Sequence, residues 1–236
     1  LQLRPSDHVL EIGSGWGGFA SHAVRHFGCR VTAITISEEQ HRFTGERFLR
    51  EGVADRAEVR IEDYRNAQGR YDKIASIEMV EAVGDAYVDG FFGQCASLLQ
   101  PDGLLGFQAI ICPDSRYAAL RDGVDWIQKH IFPGSLIMSV GRINLAINRT
   151  SDLTLHELVD LGPHYATTLR RWHERFNRAV GEVRSLGFDD AFIRKWNYYL
   201  CYCEAAFAMR NISVIQAVYT RPNNRRLQTG QFPPVC

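Results

Sequence analysis

The segment Val9-Leu10-Glu11-Ile12-Gly13-Ser14-Gly15-Trp16-Gly17-Gly18 constrains this chain more than any other stretch. An apolar run meets an acid, then a glycine-rich turn, then a helix start near Gly17, the parts of a nucleotide-binding corner. Gly13, Gly15 and Gly18 also satisfy the G-x-G-x-x-G spacing of dinucleotide sites, so the glycines alone separate few ligands. Glu11 separates them. At the end of a first strand its carboxylate would stand where a dinucleotide places its pyrophosphate, and two anions there repel. The same acid suits S-adenosylmethionine, which carries an ammonium and a sulfonium. A nicotinamide or flavin dinucleotide is the weaker reading, and a glycine turn that binds nothing is weaker still.

At 236 residues the chain fits one domain with a sizeable core, with or without insertions. Lys plus Arg and Asp plus Glu both number 27, so no global basic field recruits nucleic acid or draws the whole chain to an anionic membrane. The six cysteines show no zinc-type grouping, and buried thiols in a reducing compartment are expected. His22, His26, His41 and His130 lack ligand spacing, so no metal is expected. No apolar run reaches transmembrane length and no secretory signal is visible. Leu1 stands where a start methionine would be, directly ahead of the first strand, which reads as a piece cut from a longer protein.

Strand and helix signals alternate through the first half. Strands are predicted at 8–12, 30–36, 57–62, 73–77 and 103–111, with helices near 18–26, 37–51 and 85–99. This alternation implies an α/β fold with a parallel sheet covered on both faces. Residues 113–148 read as helical segments broken by Phe132-Pro133-Gly134, a lid or acceptor-pocket insertion. A strand over 153–159, helical stretches over 165–186 and 189–210, and a final strand over 212–220 complete one domain spanning 1–222. The polar tail 223–236 is expected to be disordered. A late antiparallel hairpin added to five parallel strands is the architecture of class I S-adenosylmethionine-dependent methyltransferases, a Rossmann-like, mostly parallel seven-stranded sheet.

Further motifs run in order along the chain. They include Thr35-Ile36-Ser37-Glu38-Glu39-Gln40, Glu62-Asp63-Tyr64-Arg65, Glu78-Met79-Val80-Glu81-Ala82-Val83-Gly84, Ile131-Phe132-Pro133-Gly134 and Gly162-Pro163-His164-Tyr165. Together with the glycine turn, the set resembles the cyclopropane fatty acid synthase family, closer to its plant-type branch. The resemblance runs from Val9 to about Pro222.

The resemblance implies that Glu11, Gly13 and Gly15, with Ser14, Trp16 and Gly17 completing the turn, hold the methionine portion of S-adenosylmethionine. Thr35, Ile36, Ser37 and Gln40 would line its ribose and adenine, and Asp63 and Tyr64 would contact the adenine. Read on their own, Thr35 and Ser37 also suit strand-end capping, and Gln40 suits a surface helix position. The catalytic cluster implied is Glu81, Tyr165, Gln108 and Ile110, the last through its backbone, around a bicarbonate ion that takes a proton. Glu81 also suits a helix-capping acid, and Tyr165 a buried core phenol. Family members commonly carry histidine where this chain has Ala82 and Gln108, and glutamate where it has Val159. A further family cysteine lies upstream of the first strand, in a segment that this sequence lacks.

The activity implied is transfer of a methylene or methyl group to the double bond of an unsaturated fatty acyl chain in a phospholipid, through a carbocation. The implied setting is cytoplasmic, peripheral to a membrane, with the upstream segment as a partner, no nucleic acid, and room for a homodimer. Methylation of a small molecule on the same fold, or an inactive S-adenosylmethionine-binding fragment, are the alternatives. Trp126, Phe132, Trp196, Tyr198, Tyr199, Tyr202 and Phe207 suit either an acyl-chain groove or plain core. Glu204 among them suits a pocket acid or a salt-bridge partner, and Arg170, Arg171 and Arg175 suit a solvated helix face or contact with lipid headgroups.

Overall fold

The computed structural model describes residues 1–224, 226 and 227. β1 (His8–Ile12) is followed by α1 (Gly18–Phe27), β2 (Arg30–Thr35), α2 (Glu38–Arg50), β3 (Ala57–Ile61) and β4 (Tyr71–Ile77). Next come α3 (Val88–Leu98), β5 (Leu99–Cys112), α4 (Asp114–Asp122), α5 (Trp126–His130), β6 (Met138–Ser139) and α6 (Val140–Thr150). The last elements are β7 (Thr154–Asp160), α7 (Gly162–Arg178), α8 (Val180–Ser185), α9 (Asp190–Ala208) and β8 (Ser213–Thr220).

The strand order is β3-β2-β1-β4-β5-β8-β7, with the two-residue β6 paired to β5 off this path. Strands β1 to β5 are parallel, and β8 is antiparallel to both β5 and β7. Val9, Leu10 and Ile12 in β1 and Val31, Ala33 and Ile34 in β2 are all buried, because helices cover both faces of the sheet. One apolar layer joins Phe91, Phe92, Leu105, Phe107 and Tyr219 with Ile143 and Ile147 of α6. The opposite layer joins Val9, Val31, Ala20, Ala23 and Phe48. A third cluster, Ala166, Leu169, Leu200, Phe207 and Val214, fixes α7 and α9 on β8.

The seven-stranded sheet expected from the sequence is present, and β6 adds an eighth strand inside the insertion. The segment 113–148 therefore contains sheet as well as helix: Ile111 and Cys112 pair with Met138 and Ser139. β5 begins at Leu99 rather than near Gly103, because Leu99 pairs with Tyr71 before the register shifts between Tyr71 and Lys73. The single helix expected over 165–186 starts earlier, at Gly162, and breaks at Ala179 into α7 and α8. Gly181 sits just after that break and lowers helix propensity there. β7 and β8 are joined by α7, α8 and α9 rather than by a tight turn. Within the tail 223–236, Asn224 donates to the Asp102 carbonyl at 3.0 Å, and most of the tail lies outside the described residues.

The insertion is tied to the loop after β4 by one arginine. Arg142 on α6 is only 13% exposed and reaches Asp85 at 2.6 Å, Asp89 at 2.7 Å and the Asp85 carbonyl at 2.9 Å. Removing it leaves Asp85 without its counter-charge and Asp89 with only Arg149, at 3.6 Å. Arg142→Ala should lower stability by about 2–4 kcal/mol, read as the shift of a urea unfolding midpoint at constant slope.

Candidate active site

In a parallel sheet, ligands bind beyond the carboxyl ends of the strands, where neighbouring connections leave in opposite directions. Here that point lies between β1, whose connection leads to β2, and β4, whose connection leads to β5. A cleft of about 520 Å³ opens there, lined by residues from the ends of four strands and the turns after them. Ile12, Gly13 and Gly15 come from β1 and its turn, Ile34, Thr35, Ile36 and Gln40 from the end of β2 and α2. Glu62, Asp63, Tyr64 and Arg65 come after β3, and Ile77, Glu78, Met79, Ala82, Val83 and Tyr87 from the end of β4 onward. A second depression of about 470 Å³, around Pro5, Arg30 and Asp55, lies at the opposite, amino ends of the strands. No strand carboxyl end or glycine turn faces it.

Of the residues expected to meet the cofactor, Gly13, Gly15, Thr35, Ile36, Gln40, Asp63 and Tyr64 line the cleft. Ser14 is buried, and Trp16 is 55% exposed with its ring edge-on to Phe43. The amides of Gly13 and Ser14 donate to the Ile34 carbonyl at 3.1 and 3.0 Å, and that of Gly17 to the Ser14 carbonyl at 2.9 Å. These three amides shape the turn and do not face a ligand. Gly17 has φ 75°, and a Cβ there would lie 2.8 Å from Thr44 Cγ2, so glycine lets α1 and α2 close on each other. Ser37 caps α2 by accepting from the Gln40 amide at 3.2 Å. Thr35 Oγ1 accepts from the Ser37 amide at 3.1 Å and donates to Gln40 Oε1 at 2.8 Å. Capping and cleft-lining thus coexist in one short network. Asp63 is held by the Arg65 guanidinium and amide, which fixes the start of the short turn carrying Tyr64.

Glu11 sits beneath the turn, 3% exposed, with Oε2 buried and without a hydrogen-bond partner. Burial alone pushes its pKa up to about 8. It lies one residue from the cleft wall rather than in it.

On the far side of the cleft the second cluster assembles. Glu81 Oε1 accepts from the Ile110 amide at 2.6 Å, while its Oε2 is enclosed and has no partner. Burial, opposed by the Ile110 amide and reinforced by the nearby Glu78 charge, lifts its pKa to about 7. Tyr165 donates from its hydroxyl to Glu78 Oε2 at 2.9 Å. Burial and the Glu78 carboxylate push the Tyr165 pKa well above the ordinary phenol range, so it stays a donor. Gln108 donates from Nε2 to Glu78 Oε1 at 2.7 Å and accepts from Gln216 Nε2 at 3.0 Å. Glu81, Tyr165, Gln108 and Ile110 are therefore brought together, around a residue to which the sequence motifs assigned no role.

That residue is Glu78. It stands at the carboxyl end of β4, lines the cleft, and holds φ at 50°, a left-handed conformation that a glutamate adopts at a cost of about 1–2 kcal/mol. Its amide donates to the Gln108 carbonyl at 2.8 Å. The signal that could have found it is the amide at Gln108: a glutamine in place of a histidine needs an acceptor, and Glu78 precedes Glu81 by three residues. Val159, where family members carry glutamate, pairs with Gln216 on the exposed edge of the same row of the sheet. Glu204 is engaged by Arg170 at 2.8 Å, and so is a salt-bridge partner rather than a pocket acid. Among the aromatics, Phe207 is core, Phe132 meets Tyr199 edge-on at 5.9 Å, and Tyr198 and Tyr202 are exposed.

Residues 1–217 match the model of the mycolic acid cyclopropane synthetase family. The chain belongs to this family. It is 39% identical over 214 residues to the tuberculostearic acid methyltransferase UfaA1 of Mycobacterium tuberculosis, covering 91% of this chain and 50% of that protein. It is 35% identical over 222 residues to a cyclopropane-fatty-acyl-phospholipid synthase of Escherichia coli, covering 94% and 55%. The chain thus spans about half the length of the curated relatives it matches. The cyclopropane synthase MmaA2 of Mycobacterium tuberculosis superposes with a TM-score of 0.85 at 24% identity, over 94% of this chain and 80% of that one. The mycolic acid cyclopropane synthase CmaA1, complexed with SAH and CTAB, gives 0.84 at 23% identity over the same shares. Both share the fold described above.

Two buried acids with raised pKa values set a pH dependence. A carboxyl whose pKa rises from its ordinary value near 4.5 to about 8 on folding binds more protons in the native state across that range. Stability is therefore fullest below about pH 4.5 as far as Glu11 is concerned, and declines as pH rises toward 8. Glu11→Gln should flatten the slope of unfolding free energy between pH 5 and 7 by up to about 1.4 kcal/mol per pH unit, measured by urea titration at each pH.

Proposed function

We propose that this chain is the catalytic part of an enzyme that moves the methyl group of S-adenosylmethionine onto the double bond of an unsaturated fatty acyl chain, in a phospholipid at a membrane face. The observation that carries the reading is the cleft itself. It has a glycine turn backed by a buried, unpartnered acid on one side and the Glu78 carboxylate on the other, with the enclosed Glu81 near Glu78 but outside the lining. Neither of those carboxylates is paired with a cation among the described residues.

The residues fit the cofactor. Glu11, with an orphaned oxygen, supplies a counter-charge for an ammonium close to the turn. Gly13 and Gly15 let a ligand approach the backbone closely, and Thr35, Ile36, Gln40, Asp63 and Tyr64 form the wall for a nucleoside. When bound, S-adenosylmethionine supplies a methyl group activated by a sulfonium. An isolated alkene is a poor nucleophile, so the chain must provide position, dryness and help with charge. Holding the alkene against the methyl carbon can contribute about 7–11 kcal/mol of the barrier. The Glu78 carboxylate lines the cleft, where fixed negative charge would favour a cation forming on the adjacent carbon. Tyr165 and Gln108 keep Glu78 in one orientation, so little reorganisation is needed as that charge develops.

No helix among the described residues is long and apolar enough to cross a membrane. The names of the relatives support lipid chemistry with either a methyl-branched or a cyclopropane outcome. The shared cation gives a cyclopropane or a methylidene chain by proton loss; a saturated methyl branch would need a separate hydride donor.

The test uses the full chain with methyl-labelled S-adenosylmethionine and vesicles of dioleoyl phosphatidylglycerol and phosphatidylethanolamine. An acyl mass gain of one carbon and two hydrogens, carrying the label, is expected by mass spectrometry. Label transfer to water-soluble amines with none in lipid would replace the lipid reading with small-molecule methylation. In the same system Gly13→Ala, whose Cβ would meet Met79 Cγ at 3.3 Å with φ at 91°, should weaken S-adenosylhomocysteine binding about tenfold or more by calorimetry.

A further inference from the structure

The bicarbonate ion implied by the family resemblance needs hydrogen-bond donors, and in this chain the donors assigned to it are engaged by protein carboxylates. The Tyr165 hydroxyl and the Gln108 amide both donate to Glu78, one to each oxygen. The Ile110 amide donates to Glu81. An added anion would displace these contacts while standing beside two carboxylates, and like charges at such range repel. The residues present do not fit bicarbonate. They fit a carboxylate, and one is already there.

Glu78 is that carboxylate, and it faces the chemistry. Its side chain lines the cleft next to Met79, which abuts Gly13 of the cofactor turn, whereas Glu81 does not line the cleft. A left-handed backbone at Glu78 turns the chain sharply at the strand end, and the Gln108 carbonyl holds that amide in place. The Gln216–Gln108–Glu78 relay also sets which way the Gln108 amide points. An ionised carboxylate is acceptor-only, so Gln108 must present Nε2 to it and Oε1 to Gln216.

We propose that Glu78, rather than an exogenous bicarbonate, accepts the proton lost from the newly transferred methyl group. The inference rests on the lipid-methylation reading above. The alkene π pair forms the bond to the methyl carbon as the sulfur–carbon bond breaks, leaving a neutral thioether and a cation on the adjacent alkene carbon. A C–H bond of the new methyl then breaks. Its electron pair closes the ring on the cationic carbon, and the proton passes to a Glu78 oxygen. If a hydride first shifts from the methyl-bearing carbon to the cationic one, the same proton loss leaves a methylidene branch on the open chain instead. Glu78 returns its proton to water as product leaves.

The experiment compares the full chain on dioleoyl phospholipid vesicles in buffer stripped of carbon dioxide and in the same buffer with added bicarbonate. Product formation is followed by mass spectrometry, and ¹³C-bicarbonate binding by line broadening in NMR. Equal rates in the two buffers, with no broadening, are expected. Glu78→Gln should lose about 100-fold or more in product formation while its affinity for S-adenosylhomocysteine, read by calorimetry, stays within about threefold of the parent. Product that forms only when bicarbonate is added, or a Glu78→Gln protein that turns over like the parent, overturns the proposal and leaves the lipid reading standing. Should the parent bind the cofactor yet give no acyl product in either buffer, the lipid reading falls and this proposal with it. If Glu78→Gln fails to fold, the two-buffer comparison and the NMR measurement on the parent chain still decide.

Discussion

The parallel pairing of β4 with β5 is the constraint on which the site depends. Ile77 pairs with Gln108, and the next amide, of Glu78, donates to the Gln108 carbonyl. That register brings an acid at the end of one strand beside an amide in the middle of the next. Gln216 extends the row into β8, opposite Gln108. A slip of one residue would send Gln108 to the other face of the sheet and leave Glu78 without its donor. Helices on both faces of the sheet bury the surrounding apolar residues and make such a slip costly.

Around this row the chain gathers acids that no cation pairs among the described residues. Glu11 and Glu81 each keep one enclosed, unpartnered oxygen, and burial raises the pKa of both. Elsewhere in the fold acids are paired in the ordinary way: Asp85 and Asp89 with Arg142, Asp63 with Arg65, Glu204 with Arg170. The contrast is physical evidence of purpose. Uncompensated buried carboxylates destabilise a fold unless a ligand or a forming charge offsets them, and both orphaned oxygens belong to residues next in the chain to ones that line the cleft at the strand ends.

The insertion between β5 and β7 completes the surroundings. The Leu136 amide donates to the Glu81 carbonyl at 2.8 Å, and Tyr117 shares Asp85 with Arg142. These contacts hold the loop after β4 between the sheet and the insertion. The positions of Glu78 and Glu81 are thus set by backbone bonds on two sides rather than by the loop alone.

The sequence alone determined the alternation of strands and helices, the glycine corner and its acid. Each of these arises from local rules: apolar runs for buried strands, glycine for left-handed turns, a serine cap for α2. It also pointed to Glu81, Gln108, Ile110 and Tyr165 through ordered motifs. Tertiary structure alone decided what those residues do to one another. Glu78 and Tyr165 lie 87 positions apart and Gln108 and Gln216 lie 108 apart, so only strand register and the docking of α7 against β8 could join them. The left-handed backbone at Glu78, the pairing of β6 with β5 and the orphaned oxygens of Glu11 and Glu81 likewise leave no trace in spacing or composition. They come from how distant segments share a small buried volume, which no local pattern encodes.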